Sequence, residues 1–165
     1  MKILSIFSWV VVLWIAKVFL FSLPYKFTLH PDTQYIFGSI GLWIQTVFND
    51  EIGQWFANYG SYAVGSVELL TSLILLSPII FWILAKVNLL HSVPSRNAVH
   101  AAGGLMASSV MAGAVFFHLF TPLGVEVIHQ GQSDGGSLFY AATSIVILGF
   151  ILFITNYRDY KNHRN

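Results

Sequence analysis

The sequence predicts an all-α membrane protein: a four-transmembrane-helix bundle with a short amphipathic helix in the first outer connection. Composition is the first observation. The chain is 56% hydrophobic and 9% charged, whereas a soluble domain carries about 25% charged residues. Too few charges remain to cover a water-facing surface, and the mean hydropathy is +0.70. The second observation is four apolar stretches near the length of about 20 residues that a spanning helix needs. The third is that the basic residues gather at one side of the resulting layout.

A length of 165 residues fits about one domain, covering 1–165. The first span is expected at about 3–27. Met1-Lys2 and the apolar run behind it have the look of a signal peptide. The run continues to about Leu23 without a small-residue cleavage site, so a retained span is the expectation. The second span is expected at about 59–84, with Pro78 kinking or ending it and Ile79–Leu84 carrying it further. The third is expected at about 98–120, stopping before Pro122, and the fourth at about 138–157.

Lys2, Lys86, Arg96, Arg158, Lys161 and Arg164 fall on one side of these spans, and Lys26 alone lies near the other. Basic residues face the cytoplasm. Both termini are therefore expected there, with outer connections at 28–58 and 121–137. In the first connection, Ile36, Ile40, Trp43, Ile44 and Val47 fall on one helical stripe. A helix from about Ile36 to Phe48 is too short to span. It is expected to lie in the interface or cap the bundle, with Asp50-Glu51 marking its end. Trp55, Phe56, Tyr59 and Tyr62 suit an aromatic belt. The second connection holds Gly-Gln-Ser-Asp-Gly-Gly at 131–136, a turn-rich segment.

Several function classes are disfavoured at once. There is no cysteine, which removes disulfides, thiolate metal sites and thiol–disulfide exchange within this chain. The scattered Lys and Arg residues form no nucleic-acid stripe. No nucleotide-binding glycine loop or nucleophile elbow is present.

Ionisable residues inside a span are costly and need a partner or a role. Lys17 lies inside the first span, Glu68 inside the second, and His100 and His118 inside the third. Ser61, Gly65, Glu68 and Ser72 share one small, polar helix face, which should point into the bundle. Lys17 or Lys26 could neutralise Glu68, the latter by reaching inward on its long stem. The bland reading is an ion pair that fixes helix register. The functional one is a proton-carrying or ligand-anchoring carboxylate, and a protonated, neutral Glu68 is the third.

His100 and His118 share a face, about 27 Å apart along the axis. That resembles stacked haem ligands, but neither the second nor the fourth span carries a histidine to complete a pair, so haem is not expected. His100 fits the cytoplasmic interface near His91 and Arg96, and His118 fits an interfacial or a functional histidine equally. His118, Glu68, Glu126, His129, Asp134 and His30 are outer-side groups, but their spacing matches no metal-ligand signature, and no metal is expected. Gly104, Ser108 and Ala112 form a small-xxx-small row, read as close helix packing.

With these residues in view, the chain resembles the DoxX-like family, within the DoxX/MauE-type four-helix membrane proteins. The residues that carry the resemblance are Tyr25-Lys26-Phe27-Thr28, His30-Pro31-Asp32, Ile36-Phe37-Gly38, Gly65-Ser66-Val67-Glu68-Leu69-Leu70 and Leu75-Leu76-Ser77-Pro78. Met111-Ala112-Gly113-Ala114, His118-Leu119, Gly124-Val125 and Asp134-Gly135-Gly136 add to it. The resemblance implies a four-helix bundle with both termini inside, in a bacterial inner membrane. It favours Lys26 over Lys17 as the partner of Glu68, and places Lys26, Glu68, His118 and Asp134 together at the outer leaflet. Lys17 and Glu126 remain possible contributors.

Family members are linked to quinone-dependent redox complexes, to maturation of redox enzymes, or to no known reaction, and fold-level analogy does not transfer a reaction. The first expectation is therefore an accessory or binding protein that holds a quinone or lipid-like molecule beside the polar cluster. It would work in the lipid bilayer with a redox or maturation partner protein, or as a homodimer. The second is a membrane subunit of a quinone-linked oxidoreductase, with Glu68 and His118 handling protons and a partner carrying the electrons. The third is a small proton-coupled transporter, disfavoured because four helices leave little room for a pore. Whether the chain is an enzyme stays open.

Overall fold

An apolar run with no charge between Lys2 and Lys17 gives α1, Lys2–Phe27. The computed structural model describes residues 2–90 and 92–163, and of Lys2 the backbone alone. His91 and Arg164, both expected at the basic side, lie outside the described residues. Pro24 sits in the last turn of α1, and Leu29 adopts a left-handed conformation at φ 53° that ends the run. Pro31 then opens α2, Pro31–Val47, at the position where a missing N–H costs nothing.

The next helix differs from its expected bounds. The apolar pattern predicts a start near Tyr59, but α3 runs Asp50–Lys86 over 37 residues. Asn49 Oδ1 accepts the Ile52 N–H at 2.9 Å, and Asp50 and Glu51 occupy the first turn, where negative charge is favoured. The two acids therefore open α3 rather than close α2. Pro78 does not break the helix. Ser77 Oγ donates to the Ile74 carbonyl at 2.7 Å, the acceptor that the missing Pro78 N–H leaves free. At 1.5 Å per residue α3 is about 55 Å long, well beyond the apolar slab of about 30 Å.

Helix α4 spans Arg96–Phe120, and α5 spans Ser137–Asn162. Between them is a hairpin of β1, Ile128–His129, and β2, Gln132–Ser133, paired antiparallel. Its two-residue turn is Gln130-Gly131, both at positive φ, as a hairpin turn of this length demands.

Four helices are long and apolar enough to cross a membrane: α1, α3, α4 and α5. Only 22–33% of their most apolar windows is buried inside the molecule. Most of their apolar surface therefore faces outward, which is unfavourable in water and suits lipid. This is the arrangement of an integral membrane protein.

The main core joins Val11, Val12, Ile15 and Phe19 of α1 to Leu75 of α3, Ala107 and Met111 of α4, and Ala142, Ile145 and Leu152 of α5. A Cβ on Gly104 would stand 2.7 Å from the Gly149 carbonyl oxygen, so α4 and α5 meet backbone to backbone. Ser108 Oγ also donates to the Val146 carbonyl at 2.8 Å, whereas Ala112 is exposed. Asn156 and Ser8 tie α5 to α1 through a buried hydrogen bond of 3.0 Å.

A second, smaller core lies at the other end. Ile40 and Ile44 of α2 pack with Leu123 and Val127 of the α4–α5 connection. Helix α2 folds back along α3, where Gly41 approaches Ala57 and Gly53 too closely for a side chain. The two ends differ in charge. Lys86, Arg96, Arg158 and Lys161 mark a basic end, while Asp32, Asp50, Glu51, Glu126 and Asp134 mark an acidic end.

Candidate functional site

Lys26, in the last turn of α1, faces Glu68 in the middle of α3. Lys26 Nζ donates to Glu68 Oε2 at 2.7 Å and to Oε1 at 2.9 Å. It is Lys26, not Lys17, that reaches the carboxylate. Glu68 is 2% exposed and Lys26 15%, so the charges are paired in a medium that disfavours either alone.

Ser22 completes the group. Its hydroxyl lies 2.7 Å from both Glu68 Oε2 and the Phe19 carbonyl, and it accepts from Lys26 Nζ at 2.8 Å. Sequence reasoning singles out Ser61, Gly65 and Ser72 but passes over Ser22. The signal was available, because Ser22 is four residues before Lys26 and so shares its helix face.

The polar face of α3 lies as its spacing predicts. Ser61, Gly65, Glu68 and Ser72 are all buried. Ser72 Oγ donates to the Glu68 carbonyl at 2.8 Å. Gly65 sits against Lys26 and Phe27, where a Cβ would touch both at 3.4 Å. Ser61 Oγ is buried without a hydrogen-bond partner among the described residues.

His118 and Asp134 are not joined to Lys26 or Glu68 by a hydrogen bond or ion pair among the described residues. Each anchors the α4–α5 connection instead. His118 is 7% exposed, and its Nδ1 lies 2.7 Å from the Gly124 carbonyl oxygen, the geometry of an N–H donor in that tautomer. Asp134 accepts the N–H groups of Val127, Gly136 and Leu138 at 2.8, 3.0 and 3.0 Å. Partial burial pushes its pKa up. The three N–H groups and the Ser137 hydroxyl outweigh that and hold it below the ordinary value of 3.8.

Glu126 takes a hydrogen bond from Ser133 across the hairpin. His129 Nδ1 meets Asp32 Oδ1 at 2.8 Å, and Tyr35 stacks on the His129 ring at 4.7 Å. These contacts fasten the hairpin to the start of α2. Among the described residues, no group of three His, Asp or Glu side chains converges to hold a metal ion.

Two further residues differ from expectation. Lys17 is exposed on the outer face of α1, with its Nζ 5.8 Å from the Trp14 ring centroid. His100 lies one turn into α4 from Arg96, as expected, but is fully buried among side chains. Trp9 packs edge-on against its ring at 4.8 Å. Neither nitrogen makes a hydrogen bond, although the Leu75 carbonyl lies beside the ring. Comparison with family models, with curated proteins and with solved structures returns no match.

Proposed function

We propose that this chain is a membrane accessory protein that holds a quinone or lipid-like molecule beside the Lys26–Glu68 pair. The supporting observation is the Ser61 hydroxyl, buried without a partner on the α3 face that carries Glu68. An orphaned buried hydroxyl is unfavourable, and a polar guest removes that cost. Ser61 stands about 10 Å from Glu68 along the helix, toward the acidic end. Gly65 lies between them, packed against the Lys26 stem and the Phe27 ring.

A quinone carbonyl or an ester oxygen would accept from Ser61 or from the Lys26 ammonium, and the Phe27 and Tyr62 rings, stacked on each other at 6.3 Å, would form one wall. His118 and Asp134 contribute by shaping the connection above, and α2 serves as an interfacial lid. The resemblance to the DoxX-like proteins is in keeping with this reading. In it the basic end faces the cytoplasm of a bacterium and the cluster lies at the outer leaflet.

Native mass spectrometry of protein purified gently from its membrane tests the proposal. A co-purifying quinone or lipid that is lost in Ser61→Ala and in Glu68→Gln is the expected result. Retention by both folded variants would overturn it.

A further inference from the structure

A groove of about 580 Å³ opens at the basic end, far from the Lys26–Glu68 pair. Trp9 of α1, Pro78, Phe81, Trp82 and Ala85 of α3, and Arg96 at the start of α4 are among its walls. The volume falls in the range of built ligand sites. The groove also has a direction. Pro78 lies about 12 Å deeper than Lys86 along α3, so the apolar floor is inside the span and the polar mouth is at its end.

The mouth carries positive charge that no ion pair neutralises among the described residues. Arg96 hydrogen-bonds through its terminal nitrogens to Ser5 and Asn97, both uncharged. Its Nε is buried and has no partner. Lys86 lies over the Trp82 ring, 4.1 Å from the centroid. Asp159 is the one acidic side chain at this end among the described residues, and no ion pair forms there among them. Ser95 precedes α4 as its N-cap but makes no side-chain cap hydrogen bond, and the first turn holds no acid. Its free N–H groups add positive potential at the same mouth.

We infer that this groove is a binding site for an anionic phospholipid of the adjacent leaflet, with an acyl chain along Pro78, Phe81 and Trp82 and the phosphate between Arg96 and Lys86. The complementarity has two parts. An apolar trough lies in the span, and two uncompensated cations stand at the level where phosphates lie. A zwitterionic lipid meets the first part alone. A free anion meets the second alone.

The test uses the full chain in phosphatidylcholine nanodiscs, with and without phosphatidylglycerol. Lipid retained after release into detergent is counted by native mass spectrometry. Phosphatidylglycerol should be enriched over its share of the nanodisc. Each of Lys86→Gln and Arg96→Gln should reduce that enrichment about fivefold, the contribution of one cation near an anionic surface.

Ala85→Phe fills the trough and keeps both cations, so it should also lose the lipid. It covers the case in which Arg96→Gln fails to fold. Arg158→Gln/Lys161→Gln removes charge from the same end outside the groove and should leave enrichment unchanged. Equal retention of the two lipids overturns the inference. So does an equal loss in the Arg158/Lys161 variant, which would mean surface charge alone, or displacement of the lipid by inorganic phosphate, which would mean a plain anion site. None of these outcomes touches the Ser61 and Glu68 variants, so the two proposals fail separately.

Discussion

The Lys26 ammonium and the Glu68 carboxylate form a two-point contact at 2.7 and 2.9 Å across the α1–α3 interface. Removing one member of a buried pair leaves an uncompensated charge, typically at a cost of about 3–5 kcal/mol, whereas replacing both with apolar groups is often neutral. Lys26→Met should therefore lower thermal stability in detergent sharply. Lys26→Met/Glu68→Leu should recover most of the loss. If the double variant is as unstable as the single, the pair does more than balance charge.

Gly104 and Gly149 give a second prediction, because they set the distance between α4 and α5. A Cβ at Gly104 would meet the Gly149 carbonyl oxygen at 2.7 Å and the Phe153 nitrogen at 3.0 Å, and neither backbone group can yield. Gly104→Ala should cost about 1–3 kcal/mol, the range for overpacking. Gly113, on the same helix, has nothing within 4 Å of a Cβ. Gly113→Ala should leave stability unchanged or raise it by about 0.5–1 kcal/mol. Thermal unfolding of the two variants side by side separates contact from propensity.

Asp134 predicts an acid-sensitive connection. Its pKa is lowered in the folded chain from the ordinary 3.8. A depressed carboxylate contributes stability that is fully present above the unfolded value and is lost as pH falls through the folded one. Amide protection at Val127, Gly136 and Leu138, relative to the intrinsic exchange rate at each pH, should stay high at neutral pH and fall only below about pH 4. Asp134→Asn should show the lower protection already at neutral pH, with the spans unaffected. Identical protection in Asp134→Asn would show that the hairpin holds itself.

The spans were legible because an apolar helix in lipid is a local property, readable from a window of residues. The start of α3 was not, because Asp50, Glu51, Gln54 and Asn58 lower the hydropathy of turns that stand beyond the apolar slab. Asn49 followed by two acids is a helix-start signal that the apolar average conceals. The Lys26–Glu68 contact was legible as one of two alternatives, since helix depth leaves both lysines within reach of the glutamate. Choosing between them needs the rotation of α1, which long-range packing of Val11, Ile15 and Phe19 fixes. That rotation also turns Lys17 outward. The burial of His100 was not legible for a related reason. Its burial depends on Trp9, distant in sequence, and not on its nearness to Arg96. His118 and Asp134 were legible as polar residues near one end, but their bonds run to main-chain groups of a loop whose path no periodicity records.

Lys17 supplies the last prediction. It is nine residues from Lys26, about 13 Å along α1, and its ammonium lies 5.8 Å from the Trp14 ring centroid. A lysine at the centre of a spanning helix opposes insertion by about 2.5–3.5 kcal/mol, and a leucine favours it by about 0.3–0.6. Lys17 stands off the centre of α1, so Lys17→Leu should make α1 insert more readily by less than the central difference of about 3–4 kcal/mol in a glycosylation-mapped insertion assay on the isolated segment. In the full chain it should leave the Lys26–Glu68 pair intact, so its thermal stability in detergent should match or exceed that of the parent. A marked loss of stability in Lys17→Leu would mean that the ammonium has a structural partner, and that α1 is rotated relative to the packing described.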